Sequence, residues 1–140
     1  MKKYISVIII IVLVLFSTCE EDLLLLNVDC EECYSPEPDS ADLVVHLSFD
    51  AGVSEIPLVF YVGKADKKNV EYIDTAYSTP YYLYVETEKP YSVEAKYELS
   101  DKTIIAVDGT EIKNRKVTDV CSETCYVLKN QDLYVELKDY

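Results

Sequence analysis

The sequence predicts an all-β protein, a two-sheet antiparallel sandwich of seven to nine short strands, and three observations predict it. Apolar and polar residues alternate with a period of two through most of the chain after residue 40. Turn-forming clusters recur about every 8 to 12 residues, the spacing of short strands joined by tight connections. No stretch after Asp22 has a helical period. With no internal repeat and no long linker, the chain divides into residues 1–18, a leader; 19–40, an acidic tether with a cysteine loop; and 41–140, the sandwich.

The leader comes first in the chain and sets the expected location. Lys2 and Lys3 precede an apolar run from Tyr4 to Phe16, and Ser17, Thr18 and Cys19 follow. This is the pattern of a lipoprotein signal peptide, cleaved before a cysteine that then carries the lipid. The run is about 13 residues, against the roughly 20 that a spanning helix needs, so a permanent transmembrane segment is the weaker reading. Cys19 is therefore the expected lipidation site and membrane attachment point. Glu20, Glu21 and Asp22 open the tether. Leu23 to Leu26 is too short to decide between a strand and a membrane-proximal contact, and Asn27 to Ser40, with Pro36 and Pro38, reads as a loop.

The strands follow in order. Leu43, Val45, Leu47 and Phe49 alternate with Val44, His46 and Ser48, which gives a half-buried strand before a turn at Asp50–Gly52. Pro57 to Val62 is apolar on both faces and is expected at the centre of a sheet. Val70 to Ile73 is a third strand, and Asp74 to Pro80 reads as a linker. From Tyr81 to Glu86, Tyr81, Leu83 and Val85 point one way and Tyr82, Tyr84 and Glu86 the other. Lys89-Pro90 turns the chain into the clearest strand, Tyr91 to Glu98, and Ser100-Asp101 closes a hairpin to Thr103–Val107. Asp108-Gly109-Thr110 predicts another hairpin turn, of the kind that requires positive φ. Beyond it lie a short basic edge with Lys113, Arg115 and Lys116, a strand at Tyr126–Leu128, a turn at Asn130, and a last alternation of Leu133, Val135 and Leu137.

Composition excludes some functions. The chain has 13 basic and 26 acidic residues, a net charge of −13. Loss of Lys2 and Lys3 with the leader leaves 11 basic residues against the same 26 acidic ones, near −15. Such a surface repels nucleic acid. The remaining cysteines, Cys30, Cys33, Cys121 and Cys125, form an even set in an exported chain, where disulfides form and persist. A four-thiolate zinc site is the rival, because both spacings suit it. A redox role for Cys30-Glu31-Glu32-Cys33 is disfavoured by the two acids between the thiols. Three pairings are possible; joining the first pair to the second is favoured, since bridges across about 90 residues constrain the unfolded chain most.

Little here supports catalysis. His46 is the only histidine, so no histidine metal cluster and no convincing Ser-His-Asp arrangement can be assembled. With 26 acids any carboxylate pair, Glu86 and Glu88 included, is uninformative. No loop has calcium-ligand spacing, and three glycines do not make a phosphate loop. No catalytic residue, metal or cofactor is assigned. The excess that could mean recognition is tyrosine: Tyr72, Tyr77, Tyr81, Tyr82, Tyr84, Tyr91 and Tyr97 fall within one short stretch. Packing across strands explains many of these. Tyr82 and Tyr84, on one face of one strand, are the candidate contact patch.

Several of these segments together resemble a known group. The lipoprotein start, Cys30-Glu31-Glu32-Cys33-Tyr34 with Glu37-Pro38 and Ala41-Asp42-Leu43, Tyr91–Tyr97, Ala106-Val107-Asp108-Gly109, and Cys121–Cys125 with Tyr126 are similar to small lipoproteins of Bacteroidetes. The acids after Cys19 resemble the surface-export signal of those proteins. The resemblance implies an immunoglobulin-like or transthyretin-like sandwich on the outside of the outer membrane and carries no site residue with it. Thr79–Tyr97 is also similar to prealbumin-like accessory modules of larger surface proteins. The expected function is a non-catalytic surface lipoprotein with an interaction or envelope-structural role. The alternative is a carbohydrate- or peptide-binding accessory module of a nutrient-uptake system, with a protein or glycan partner.

Overall fold

The structure, a computed structural model, describes residues 28–49, 52–66 and 69–138. The leader, Cys19 and the Leu23–Leu26 run lie outside the described residues, and what is expected of them rests on sequence. Two units divide the chain, one through Glu32 and one from Cys33. The described part of the first is a 3-10 turn, Cys30–Glu32, whose Glu31 N–H donates to the Asp29 carboxylate at 2.9 Å.

The second unit is all-β. Its strands are β1 (Ser40–His46), β2 (Ile56–Val62), β3 (Val70–Ala76), β4 (Tyr81–Glu86), β5 (Pro90–Glu98), β6 (Thr103–Glu111), β7 (Lys113–Val117), β8 (Cys125–Lys129) and β9 (Asp132–Tyr134). They form a three-stranded sheet in the order β4-β1-β9, a four-stranded sheet in the order β3-β2-β5-β6, and a β7-β8 pair. Every ladder is antiparallel except β1 with β9, which is parallel, with Val45 beside Leu133.

The alternation read from the sequence is the alternation that is buried. Leu43, Val45 and Leu47 from the β1 segment, Leu133 of β9 and Val135 just after it meet Leu58 and Phe60 of β2 and Val93, Ala95 and Tyr97 of β5 in one core. Burying the leucine, valine and phenylalanine side chains stabilises the fold by about 1.5 to 3 kcal/mol each, before the entropy of ordering the chain is subtracted. The apolar strand β2 is central, flanked by β3 and β5. Its outward Tyr61 is also buried, and its hydroxyl donates to Glu94 at 3.3 Å.

Two expectations change. Asp74 to Ala76 belong to β3 instead of a linker. Asp108, Gly109 and Thr110 make no turn; they continue β6, paired with Val93, Ser92 and Tyr91. Gly109 suits the close approach there, since a Cβ on it would make a tight contact, 3.3 Å from the Tyr91 carbonyl oxygen. The Asp108 carboxylate makes a local and a distant bond: Oδ1 accepts the Gly109 N–H at 2.8 Å, and Oδ2 reaches another strand and accepts the Tyr134 N–H at 2.7 Å. An Asp-Gly pair thus lies inside a strand here, where a residue without a side chain lets the backbone of β5 approach closely.

Residues 33–39, expected in the loop before the sandwich, are tied into it. Tyr34 and Tyr126 exchange backbone hydrogen bonds at 2.9 Å in both directions. Cys33 is bonded to Cys125 across 92 residues, with Cα atoms 5.6 Å apart. This bridge joins the first cysteine pair to the second. Asn114 of β7 completes the clasp, donating through Nδ2 to the Pro38 carbonyl at 2.8 Å and to Thr87 Oγ1 at 3.1 Å.

At the margin where β3 and β4 lie, Asp74 links the two sheets. Its carboxylate accepts the Tyr81 hydroxyl at 2.7 Å and the Thr75 N–H at 2.7 Å. The Tyr81 bond, then the Thr75 bond, hold the Asp74 carboxyl below its ordinary range, while burial and then Asp74 itself push the Tyr81 hydroxyl up. A depressed carboxyl contributes stability that is fully present above its unfolded value and lost as pH falls through its folded one. Acidification below the ordinary aspartate range is therefore expected to lower the melting temperature, and Asp74→Asn to remove part of that slope. Circular-dichroism melts of both proteins at stepped pH would check this; parallel slopes would contradict it.

Candidate functional site

The outer face of the β4-β1-β9 sheet carries the candidate site. Side chains alternate across a strand, so the residues between the buried ones point outward together. On β4 these are Tyr82 and Tyr84, on β1 Asp42, Val44 and His46, and on β9 Asp132 and Tyr134. Register places Tyr84 beside Asp42, Tyr82 beside Val44, Val44 beside Asp132, and His46 beside Tyr134. Tyr82, Tyr84 and Tyr134 are 59 %, 70 % and 57 % exposed, well beyond what packed strand aromatics leave to solvent. Both residues of the predicted patch thus face outward, and Tyr134 joins them.

His46 is fixed by two contacts. Its ring stacks on Tyr134 with centroids 4.6 Å apart and planes 9° from parallel. Nε2 lies 2.7 Å from Asp132 Oδ1, so a carboxylate orients the imidazole. These are two of the three parts of a nucleophile-activating triad, but among the described residues no hydroxyl or thiol is hydrogen-bonded to the ring. The pair holds Tyr134 upright and adds polar edges to the aromatic face.

Next to this face, a groove of about 310 Å3 runs between β4 and β3, lined by Glu71, Tyr72, Tyr84, Glu86 and Tyr91. Burial raises the pKa of the Tyr91 hydroxyl. Lys89 Nζ sits 2.5 Å from Glu86 Oε2, which pushes the Lys89 pKa up. A wider groove on the other sheet is lined by Lys64, Ala65, Ser92, Val107 and Gly109. Its carboxylates are engaged elsewhere: Asp108 accepts the Tyr134 N–H, and Glu111 accepts a hydrogen bond from Lys113.

The cysteines act as cross-links in this structure. The sulfurs of Cys33, Cys121 and Cys125 lie within 4.8 Å of one another. Cys33 and Cys125 are joined to each other, and Cys30 and Cys121 each belong to a disulfide. A bonded sulfur offers no thiolate, so ligand spacing in the sequence here serves bridges.

Tyr134, His46 and Asp132 are the residues that sequence reasoning did not connect to the patch. Each lies on the polar side of an alternating strand, which was legible. That the last strand pairs beside the first was not, since nothing local encodes a parallel neighbour some ninety residues away. Comparison of the chain with family models, with curated proteins and with solved structures found no match.

Proposed function

We propose that this protein is a non-catalytic surface lipoprotein, held to the membrane by a lipid on Cys19, that makes contact with a partner through the Tyr82, Tyr84 and Tyr134 face. The observation that carries the reading is the exposure of three tyrosine rings on one sheet face, beside a histidine locked by Asp132. Tyrosine offers broad apolar area with a hydrogen-bonding tip and few rotatable bonds, so little entropy is lost when a partner covers it. The leader read from the sequence supplies the anchor and the oxidising surroundings in which Cys33 and Cys125 stay joined.

Two experiments test the two halves. Labelled palmitate is expected to enter the protein and to be absent from the Cys19→Ala variant; equal labelling would remove the anchor. A photo-crosslinking residue at position 84, in cells that make the protein, is expected to trap a discrete adduct. The same residue at exposed position 102 is expected to give none. Identical patterns from both positions would remove the contact face. The Tyr82→Ala/Tyr84→Ala variant should unfold within about 0.5 kcal/mol of the parent, since both rings are in solvent. Urea titration checks that, and a larger loss would mean that the rings serve packing.

A further inference from the structure

We propose that the open edge of β4 receives an extended, basic peptide segment as an added antiparallel strand, with its lysine or arginine side chains lying against Tyr82 and Tyr84. The proposal rests on the reading of the tyrosine face as a contact surface and adds the partner's chemistry and its mode of docking.

The backbone geometry comes first. Among the described residues β4 is paired with β1 alone. The Thr87 N–H donates to the Asp39 carbonyl at 2.9 Å, in line with the register that pairs Ser40 with Glu86 and Ala41 with Val85. In an antiparallel ladder hydrogen-bonded pairs recur every second residue. Tyr81, Leu83, Val85 and Thr87 therefore spend their backbone groups on β1. The other side of β1 agrees: Val44 N–H and His46 C=O both bond toward the β9 segment, so the intervening residues must face β4. Tyr82 and Tyr84 consequently aim their N–H and C=O groups away from the sheet. The same two residues carry the exposed rings.

A strand added there gains main-chain hydrogen bonds from Tyr82 and Tyr84, and its own side chains fall alternately on the outer face and into the β3–β4 groove. In antiparallel pairing, a residue bonded to Tyr82 or Tyr84 places its side chain on the outer face beside the ring. What that side chain should be follows from charge. Asp42 stands beside Tyr84 in register, and Glu86 follows on the same face of β4. Glu71 lines the adjoining groove. Ammonium and guanidinium groups are drawn both to carboxylates and to tyrosine rings. Lys89 already shows the chemistry within the chain, its ammonium held by Glu86. A net charge of −13 favours the approach of such a partner and opposes that of an anionic glycan or an acidic peptide.

The test uses the protein without its leader and a capped octapeptide of alternating lysine and valine. Binding is followed by calorimetry and by amide NMR shifts. Shifts are expected at Tyr82 and Tyr84, with affinity falling as salt rises. N-methylation of the lysine nitrogens should abolish binding, and N-methylation of the valine nitrogens should spare it. The glutamate–valine peptide should not bind. Tyr82→Ala/Tyr84→Ala, confirmed as folded by its unchanged spectrum elsewhere, should weaken affinity at least about tenfold, which general attraction to an acidic surface would not explain. Binding that is indifferent to lysine N-methylation or to the tyrosine change overturns the proposal, as does silence with the lysine peptide. If neutral oligosaccharides such as maltoheptaose shift Tyr82 and Tyr84 while the peptide does not, strand addition is overturned and the contact face stands. If crosslinking at position 84 also fails, both fall.

Discussion

Exchanging both Cys33 and Cys125 for serine is expected to lower the free energy of unfolding by about 2 to 5 kcal/mol. The bridge closes a loop of 92 residues, which puts its effect on the unfolded chain toward the upper end of the entropy model. The lower end applies because Cys30 and Cys121 are each in a disulfide too, and a chain that is already cross-linked has less freedom left to lose. Local structure would loosen too. Cys33 holds the segment whose Tyr34 pairs with Tyr126, and Pro38 in the same segment receives Asn114. Denaturant titration of parent and variant, each without reductant, measures the difference. A midpoint unchanged by the double exchange would show that the clasp holds without its covalent link.

The second large effect is expected at Tyr97. It is fully buried in the core, and its hydroxyl donates to the Val135 carbonyl at 2.7 Å while the Ser48 N–H lies 3.3 Å from it. One side chain on β5 thereby joins its sheet to the strand ends of the other. Tyr97→Ala removes the ring from a packed interior, and losses of about 3 to 5 kcal/mol are usual for aromatic truncations of this kind. Tyr97→Phe keeps the ring and leaves the buried Val135 carbonyl and the half-buried Ser48 N–H without this partner, for which about 1 to 3 kcal/mol is expected. The pair of variants separates packing from hydrogen bonding. If Tyr97→Phe were neutral, water or a shifted backbone would be satisfying Ser48 and Val135.

Tyr97 also illustrates what the sequence could and could not tell. Its place on the inward side of an alternating strand was legible, as were the two faces of Tyr81–Glu86, because a period of two leaves only two choices once one face is apolar. The bonds of its hydroxyl were not, since they end on residues 49 and 38 positions away in the chain. The candidate site divides in the same manner. Exposure of Tyr82 and Tyr84 follows from local pattern, whereas their company with His46, Asp132 and Tyr134 depends on which strands become neighbours. The Asp108-Gly109 pair misled for a related reason. A turn and a closely approached strand position both favour a residue without a Cβ, and only the partner strand reveals which one is present.

The parallel pairing of β1 with β9 bears on how the chain assembles as it is made. β1 is among the earliest strands to leave the ribosome, yet its second neighbour is not synthesised until residues 132–134. Until then its outward-bonding carbonyls and amides, His46 among them, have no ladder to join, while β2, β3, β5 and β6 can already associate through antiparallel neighbours. Topologies that rely on such distant partners acquire their final form slowly, in about milliseconds to seconds. A nascent chain arrested before β9 would therefore expose the imidazole of His46 without the carboxylate that orients it, and the aromatic platform would be among the last features of the molecule to appear.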